Sequence, residues 1–185
     1  MLKVTKFVGK GATRICFEHP DNADKCVKVI VRFKDENLLY KELETYKKVG
    51  KYLSNYLLSY DPDVVDTNIG KAVVCEFLRD DDGEISKGLG YYCKGGRIDK
   101  DLLNQIDDFA NILVKENIFF YDFNIQNFMV QIKDGKKQLK YTDLKSYNNY
   151  KPWTFLKLEK MIKPLAKSLM LRRLKKLHSR VSVQA

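Results

Sequence analysis

No stretch of this 185-residue chain approaches the roughly 20 consecutive apolar residues that a membrane-spanning helix needs. The opening, MLKVTKFVGKG, has neither the apolar core nor the small-residue cleavage site of a secretory leader, so a cytoplasmic setting is expected. Cysteine and histidine are sparse. Cys16, Cys26, Cys75 and Cys93 show no C-x-x-C spacing, and His19 and His178 lie far apart. That argues against a zinc site and for reduced thiols. No internal repeat and no low-complexity segment is visible. What is present is ordinary for a globular chain: 44% hydrophobic and 31% charged residues, enough for one sizeable core or two small lobes around a cleft.

Positive charge is unevenly spread. The chain has 34 Lys and Arg against 24 Asp and Glu, a net charge of +10. Residues 151–185 hold ten of the bases and one acid, Glu159, which leaves 24 bases and 23 acids in residues 1–150. The basicity therefore belongs to the tail. FLKLEKMIKPLAKSLMLRRLKKLHSRV reads as helix, with Pro164 permitting a kink or a restart. Leu165, Leu169, Leu174 and Leu177 face either the body of the protein or a bilayer. Lys167, Arg172, Arg173, Lys175 and Lys176 crowd the other positions. The readings are a helix packed on the core with a solvated basic face, contact with an anionic membrane surface at the inner membrane, or phosphate-backbone binding. Aromatics are not interleaved with the bases as in a single-strand binder, so nucleic acid is the least favoured partner.

Along the body, VTKFV and RICFEH read as strands around the turn GKGAT, and KCVKVIVRF as a buried strand after the turn signals of HPDNAD. Residues 35–53 change to helical spacing, with Leu39, Leu43 and Tyr46 on one side. GKAVVCEFL is another short strand. RDDDGEISKGLG is polar and turn-rich, a connector between lobes. A second helix carries Leu102, Ile106, Phe109, Ile112 and Leu113 on its apolar stripe. FMVQI and KQLKYTDL then flank Asp134-Gly135, a strong hairpin signal. The expected class is α+β in two lobes.

Several residues fit this frame poorly unless they have chemistry to do. Gly9 and Gly11 lie between two strands, where glycine lets backbone N–H groups approach a phosphate, or simply makes a hairpin turn. Lys28 sits in a buried strand and either snorkels to the sheet edge or pairs with a carboxylate such as Glu42 on the following helix. In NIFFYDFNIQNFMV, Asp122, Asn124 and Asn127 interrupt an aromatic run of Phe120, Phe123 and Phe128. With Asp143 directly after a strand, they make either loop-ordering hydrogen bonds or an oxygen-rich site for a hard cation.

In this order the motifs resemble the protein-kinase-like fold from about residue 4 to residue 146. VGKGATRICF stands for the glycine-rich loop, CVKV for the lysine strand, KELETYKKV for the helix glutamate and VVCEFL for the strand entering the hinge. YDFNIQNFMV looks like the catalytic loop and YTDLK like the metal-binding motif. More narrowly, GATRICFEHPDNADKCVKV and TNIGKAVVCEFLRDDDGEISKGL resemble the YrbL family of small bacterial proteins, named for the PhoP regulatory network. The E-H-P turn and the D-x-D-G-x-I-S segment are distinctive.

The resemblance implies a minimal two-lobe fold: an N-lobe of about residues 1–79, a C-lobe of about 80–150 and a basic helical tail of about 151–185. It implies ATP and Mg²⁺ as cofactors and a hydroxyl-bearing acceptor, in an envelope or magnesium-stress response. Asp122 would receive the acceptor's proton, and Asn127 and Asp143 would hold Mg²⁺. Lys28, held by Glu42, would pair the α- and β-phosphates under Gly9 and Gly11. Glu76 and Leu78 would offer backbone groups to the adenine, with Cys75 behind them.

The pattern also departs from the kinase signature. Arg14 replaces the third glycine, where a long cation reaches phosphates or stiffens the loop. Phe120-Tyr121 replaces His-Arg, so no activation-loop switch is expected. Asn124 replaces a lysine; it can still hydrogen-bond a γ-phosphate but brings no charge. Asp143-Leu144-Lys145 replaces Asp-Phe-Gly. With 42 residues after Asp143 and no A-P-E-like segment, a small-molecule or envelope-sugar kinase is expected rather than a protein kinase. The alternative is a non-catalytic module that acts through a protein or membrane partner.

Overall fold

The computed structural model describes residues 1–11, 13–30, 35–94, 98–120, 122–144 and 163–182. The chain forms two compact units. The first comprises Met1–Ser54 and Leu58–Ile85, and the second Asn55–Leu57 and Ser86–Ala185. Both mix helix and sheet, as the α+β expectation requires.

The first unit is a five-stranded antiparallel sheet with one helix. Its strands are β1 (Phe7–Lys10), β2 (Arg14–His19), β3 (Asn22–Ile30), β4 (Tyr60–Thr67) and β5 (Gly70–Glu76), in the spatial order β1-β2-β3-β5-β4. Helix α1 spans Asn37–Leu53. Side chains alternate across a strand, and the two faces of this sheet differ sharply. One is aliphatic: Val27, Val29, Ala72 and Val74 pack with Val4, and Leu2, Phe17 and Val65 close around them. The other carries Arg14, Cys16, Cys26, Lys28 and Cys75, by alternation from those same valines.

The second unit has a three-stranded antiparallel sheet, β6 (Lys87–Gly88), β7 (Phe128–Lys133) and β8 (Lys136–Tyr141), in the order β6-β7-β8. Among the described residues three helices accompany it: α2 (Leu89–Lys94), α3 (Lys100–Lys115) and α4 (Lys163–Ser182). The β7–β8 turn has Asp134 at φ 53° and Gly135 at φ 69°, the two left-handed residues of a tight hairpin that the Asp-Gly pair predicts. Helix α3 is capped by Asp99, whose Oδ1 accepts from Leu102 N–H at 2.9 Å. Its buried residues are Leu102, Ile106, Phe109 and Leu113. Gln105 on the same helix satisfies the open edge of β8. Its Nε2 donates to Lys137 O and its Oε1 accepts from Leu139 N–H, both at 2.8 Å.

Four elements depart from expectation, among them β6, which lies inside the segment read as a connector. Strand β4 was not anticipated, because DPDVVD carries a proline and three aspartates. It lies at the sheet edge, where a residue without an N–H is tolerated. The short α2 was not anticipated either, and the first strand begins at Phe7 rather than Val4. In the tail, Pro164 falls in the first turn of α4, where a missing N–H costs little. Met170, Leu174, Leu177 and Val181 of α4 are buried. Arg172, Lys175, Lys176 and Arg180 are exposed. Leu165 and Leu169 have side chains outside the described residues. Among the described residues, no helix is long and apolar enough to cross a membrane.

Candidate functional site

In the first unit, the polar face of the sheet gathers a buried charge group. Glu42 on α1 is wholly buried. Arg14 forms an ion pair with its Oε2, and Lys28 Nζ lies 4.0 Å from its Oε1. Tyr60 joins the last two. Lys28 Nζ donates to Tyr60 Oη at 3.0 Å, and Tyr60 Oη donates to Glu42 Oε1 at 2.7 Å. Lys28 also lies 5.1 Å from the Tyr60 ring centroid. A buried lysine needs a counter-charge; here it has a carboxylate and a phenol that relays to the same carboxylate. The strand register explains the meeting. Cys16 stands opposite Lys28, so Arg14, two residues earlier on β2, points to the same face.

The other first-unit candidates take defined positions. Gly9 would meet no heavy atom within 4 Å if it carried a Cβ, and Gly11 only Arg14 O at 3.8 Å. Packing within the chain therefore demands neither glycine, while Gly11 N–H donates to Arg14 O at 2.8 Å to close the turn. Glu76 N–H donates to Ser59 O at 2.8 Å, and Glu76 Oε2 accepts from Ser59 N–H at 3.2 Å. The Glu76 carbonyl takes the Cys26 thiol at 3.5 Å. Leu78 is buried.

In the second unit, aromatic packing builds the loop over 122–127. Tyr141 is the hub. Its ring lies 5.1 Å from Phe120, 6.2 Å from Phe123, 5.0 Å from Phe128 and 5.6 Å from Phe109, centroid to centroid. Its hydroxyl donates to Asp122 O at 3.1 Å. The phenylalanines thus turn inward and leave Asp122 and Asn124 exposed. Each polar side chain also orders the chain beside it. Asp122 Oδ1 accepts from Asn124 N–H at 3.2 Å, and Asn124 Oδ1 from Gln126 N–H at 3.3 Å, capping a 3-10 turn at Ile125–Asn127. Asn127 Nδ2 donates to Asp122 O at 3.1 Å. Asn127 O accepts from Thr142 N–H at 2.9 Å and from Thr142 Oγ1 at 3.2 Å, which ties the loop to the residue before Asp143. Asp143 is buried, at 8% exposure.

The sequence singled out Asp122, Asn124, Asn127 and Asp143, and the structure brings all four to one end of the β7–β8 hairpin. It also brings Lys28 and Glu42 together. Sequence reasoning missed Arg14 as a partner of Glu42 and Tyr60 as the relay. The signal for Arg14 was its even spacing from Cys16 on a strand; Tyr60 gave none, because β4 itself was not visible. A hard cation would need oxygen donors from the second-unit residues. The Asn127 amide nitrogen is turned to Asp122 O, which turns its Oδ1 away from that contact, and Asp143 supplies carboxylate oxygen. Among the described residues, no cluster of three or more His, Cys, Asp or Glu could hold a metal ion. A cation here would depend on the amide and on retained waters.

Comparison with known proteins gives a family. The model described as PhoP regulatory network protein YrbL matches residues 1–182. Two curated proteins, both called uncharacterized protein YrbL, are similar over 98 residues at 26% identity. They come from Escherichia coli (strain K12) and Shigella flexneri. The match covers 51% of this chain and 47% of each relative, so the chain spans about half the length of the curated relatives it matches.

Proposed function

Because the chain belongs to the family described as PhoP regulatory network protein YrbL, we propose that it is a kinase-like protein of a bacterial envelope or magnesium-stress response. In this reading it binds Mg·ATP and transfers a phosphoryl group to a hydroxyl acceptor. The observation that carries the reading is the Lys28–Glu42 pair, with its tyrosine relay, on the polar face of the first unit. A lysine held in this way presents a fixed positive charge to the α- and β-phosphates. Arg14 beside it adds a second cation, and the bare backbone at Gly9 and Gly11 leaves room for phosphate oxygens. In the second unit, Asn127 and Asp143 would hold Mg²⁺, which when bound offsets phosphate charge. Asp122, exposed on a loop fixed by its own carbonyl and by Tyr141, would orient the acceptor hydroxyl and take its proton. Transfer of this kind depends mainly on positioning and charge neutralisation.

One observation favours a second reading. Asn124 stands where a charged group would meet the γ-phosphate, and its side-chain oxygen is already committed to Gln126 N–H. A protein that binds nucleotide and acts through a partner, without transfer, accommodates that. Calorimetric titration of ATP with and without Mg²⁺, into wild type and Asp143→Asn, tests the site. Metal-dependent binding in wild type, lost in the variant, supports it, and no heat in either protein overturns it. A screen of hydroxyl acceptors with Asp122→Asn then separates the readings. Transfer abolished with binding retained identifies the enzyme, whereas binding without transfer in wild type selects the module.

A further inference from the structure

Three of the four cysteines lie on the polar face of the first-unit sheet, on three adjacent strands. Cys26 on β3 stands directly opposite Cys75 on β5, and their sulfurs are 3.4 Å apart. Directly opposed residues of an antiparallel pair have Cα atoms about 4.5–5.5 Å apart. A disulfide accepts about 4.4–6.8 Å, so the two free thiols could be joined with little movement of the backbone. Cys16 on β2 sits diagonally from Cys26, since it pairs with Lys28. Exposure ranks the three. Cys26 and Cys75 are buried, at 4% and 1%, and Cys16 is half-buried.

We propose that Cys16, Cys26 and Cys75 form an oxidant-responsive thiol site, in which Cys16 takes oxygen from a hydroperoxide and the oxidation ends as a Cys26–Cys75 disulfide. The proton arrangement suits these roles. Hydrogen bonding with Cys16 and with Cys75, together with burial, pushes the Cys26 thiol up. The bond from Cys26 lowers Cys16, against burial, with help from Lys28. Burial pushes Cys75 up, but Cys26, Lys28 and Arg14 outweigh it and bring the thiol down to about 7. Thiolates beside cations are the reactive form of cysteine.

The chemistry balances with hydrogen peroxide as the oxidant. The Cys16 thiolate attacks the peroxide; an S–O bond forms, the O–O bond breaks, and hydroxide leaves and takes a proton from solvent. Cys26 then gives its proton to the oxygen of the Cys16 sulfenic acid while its sulfur attacks the Cys16 sulfur, a transient diagonal bond for which the two strands must shift. The S–O bond breaks, and the departing oxygen leaves as water with the Cys26 proton. Finally the Cys75 thiolate attacks the Cys26 sulfur and expels the Cys16 thiolate. Two sulfurs have lost one electron each, and the peroxide has become two waters. The step needs neither nucleotide nor the proposed phosphotransfer, so the two readings stand or fall separately.

The test is peroxide treatment of the reduced full chain, alkylation of the remaining thiols, and non-reducing peptide mass spectrometry. The expected product is a single crosslink joining the Cys26 and Cys75 peptides, reversed by dithiothreitol, with Cys93 still alkylated after denaturation. Cys16→Ser should slow the crosslink by tenfold or more. Cys26→Ser should halt the reaction at a Cys16 sulfenic acid, captured by dimedone. A wild-type chain that forms no Cys26–Cys75 crosslink, or one crosslinked through Cys93 or between molecules, overturns the proposal without any variant. An unchanged rate in Cys16→Ser overturns Cys16 as the point of entry.

Discussion

Glu42→Gln removes one negative charge and almost nothing else. The amide keeps the volume of the carboxylate and still accepts from Tyr60 Oη through its oxygen, a bond of 2.7 Å in the native protein. What it cannot do is balance Arg14 and Lys28, whose side chains are only 14% and 13% exposed. Removing one member of a buried ion pair costs about 3–5 kcal/mol, because a charge is left without compensation in a poorly solvated site. Residual exposure of both cations lets water and rearrangement recover part of that cost, so the low end, about 3 kcal/mol, is expected. An equal loss of one ordinary hydrogen bond would cost only about 1 kcal/mol, and the gap between the two values is measurable.

The assay must report on the first unit alone, since two units can unfold in separate steps. The cysteines provide it. Cys26 and Cys75 are buried in the first unit, and Cys93 is buried in the second. Pulse labelling of thiols across a urea series, read peptide by peptide, gives an unfolding curve for each unit in one sample. In Glu42→Gln the curve at Cys26 and Cys75 should move to lower urea by the equivalent of about 3 kcal/mol, while the Cys93 curve stays in place. A shift of about 1 kcal/mol or less at Cys26 and Cys75 would refute the view that Glu42 compensates two buried cations.

Two further substitutions test the second unit. Asp99→Ala removes the α3 cap and the partner of Lys137 Nζ. It should cost about 1 kcal/mol from the cap alone, because the half-exposed ion pair adds little. Burial raises the Asp99 carboxyl, but the bonds from Lys137 and from Leu102 N–H outweigh it and leave it below the usual carboxylate range. The stabilisation is therefore present above about pH 3.9 and fades as pH falls through the lower folded value. The wild-type and Asp99→Ala unfolding free energies, measured at Cys93, should converge in acid. Tyr141→Phe deletes the donor to Asp122 O while keeping the ring among its aromatic neighbours. It should cost about 1 kcal/mol, and hydrogen exchange should quicken over 122–127 while β7 is unaffected.

The β7–β8 hairpin was legible because local sequence decides it: Asp-Gly is one of the few pairs that suit two consecutive left-handed residues, here at φ 53° and 69°. The α3 stripe was legible for a similar reason, since a period of 3.6 needs no partner to be seen. Strand β4 was hidden because its reason for existing is tertiary. Pro62 and its aspartates are acceptable only at an edge, and nothing in YDPDVVDT says which strands will become edges. The loss carried into the site. The Lys28–Glu42 pair is one of two readings the sequence allows, because a lysine among Val27, Val29 and Ile30 either snorkels to the sheet edge or takes a carboxylate, and α1 follows directly. Tyr60 sits on the unseen strand, so the relay was invisible. Arg14 is legible as the start of the strand after the glycine turn, but its partner depends on register, which sequence alone does not set.

The two faces of the first-unit sheet bear on why a charge group is buried there at all. Val27, Val29, Ala72 and Val74 show that this sequence can cover a sheet face with aliphatic side chains. Replacing a buried ion group with apolar residues of similar volume is often neutral or stabilising. Stability alone therefore gives no reason to place Arg14, Lys28, Tyr60 and Glu42 on the opposite face of the same strands. Nor does it explain why two cations and a phenol converge on one carboxylate, when a single cation would balance it. The same reasoning extends to the sulfurs. Cys16, Cys26 and Cys75 occupy the face where positive charge makes thiolates accessible, while the face of the same strands that needs only volume is filled by valine and alanine. The positive charge helps to lower the Cys16 and Cys75 thiols, and in the proposed reading the same charge would meet a phosphate, so both proposals draw on one property.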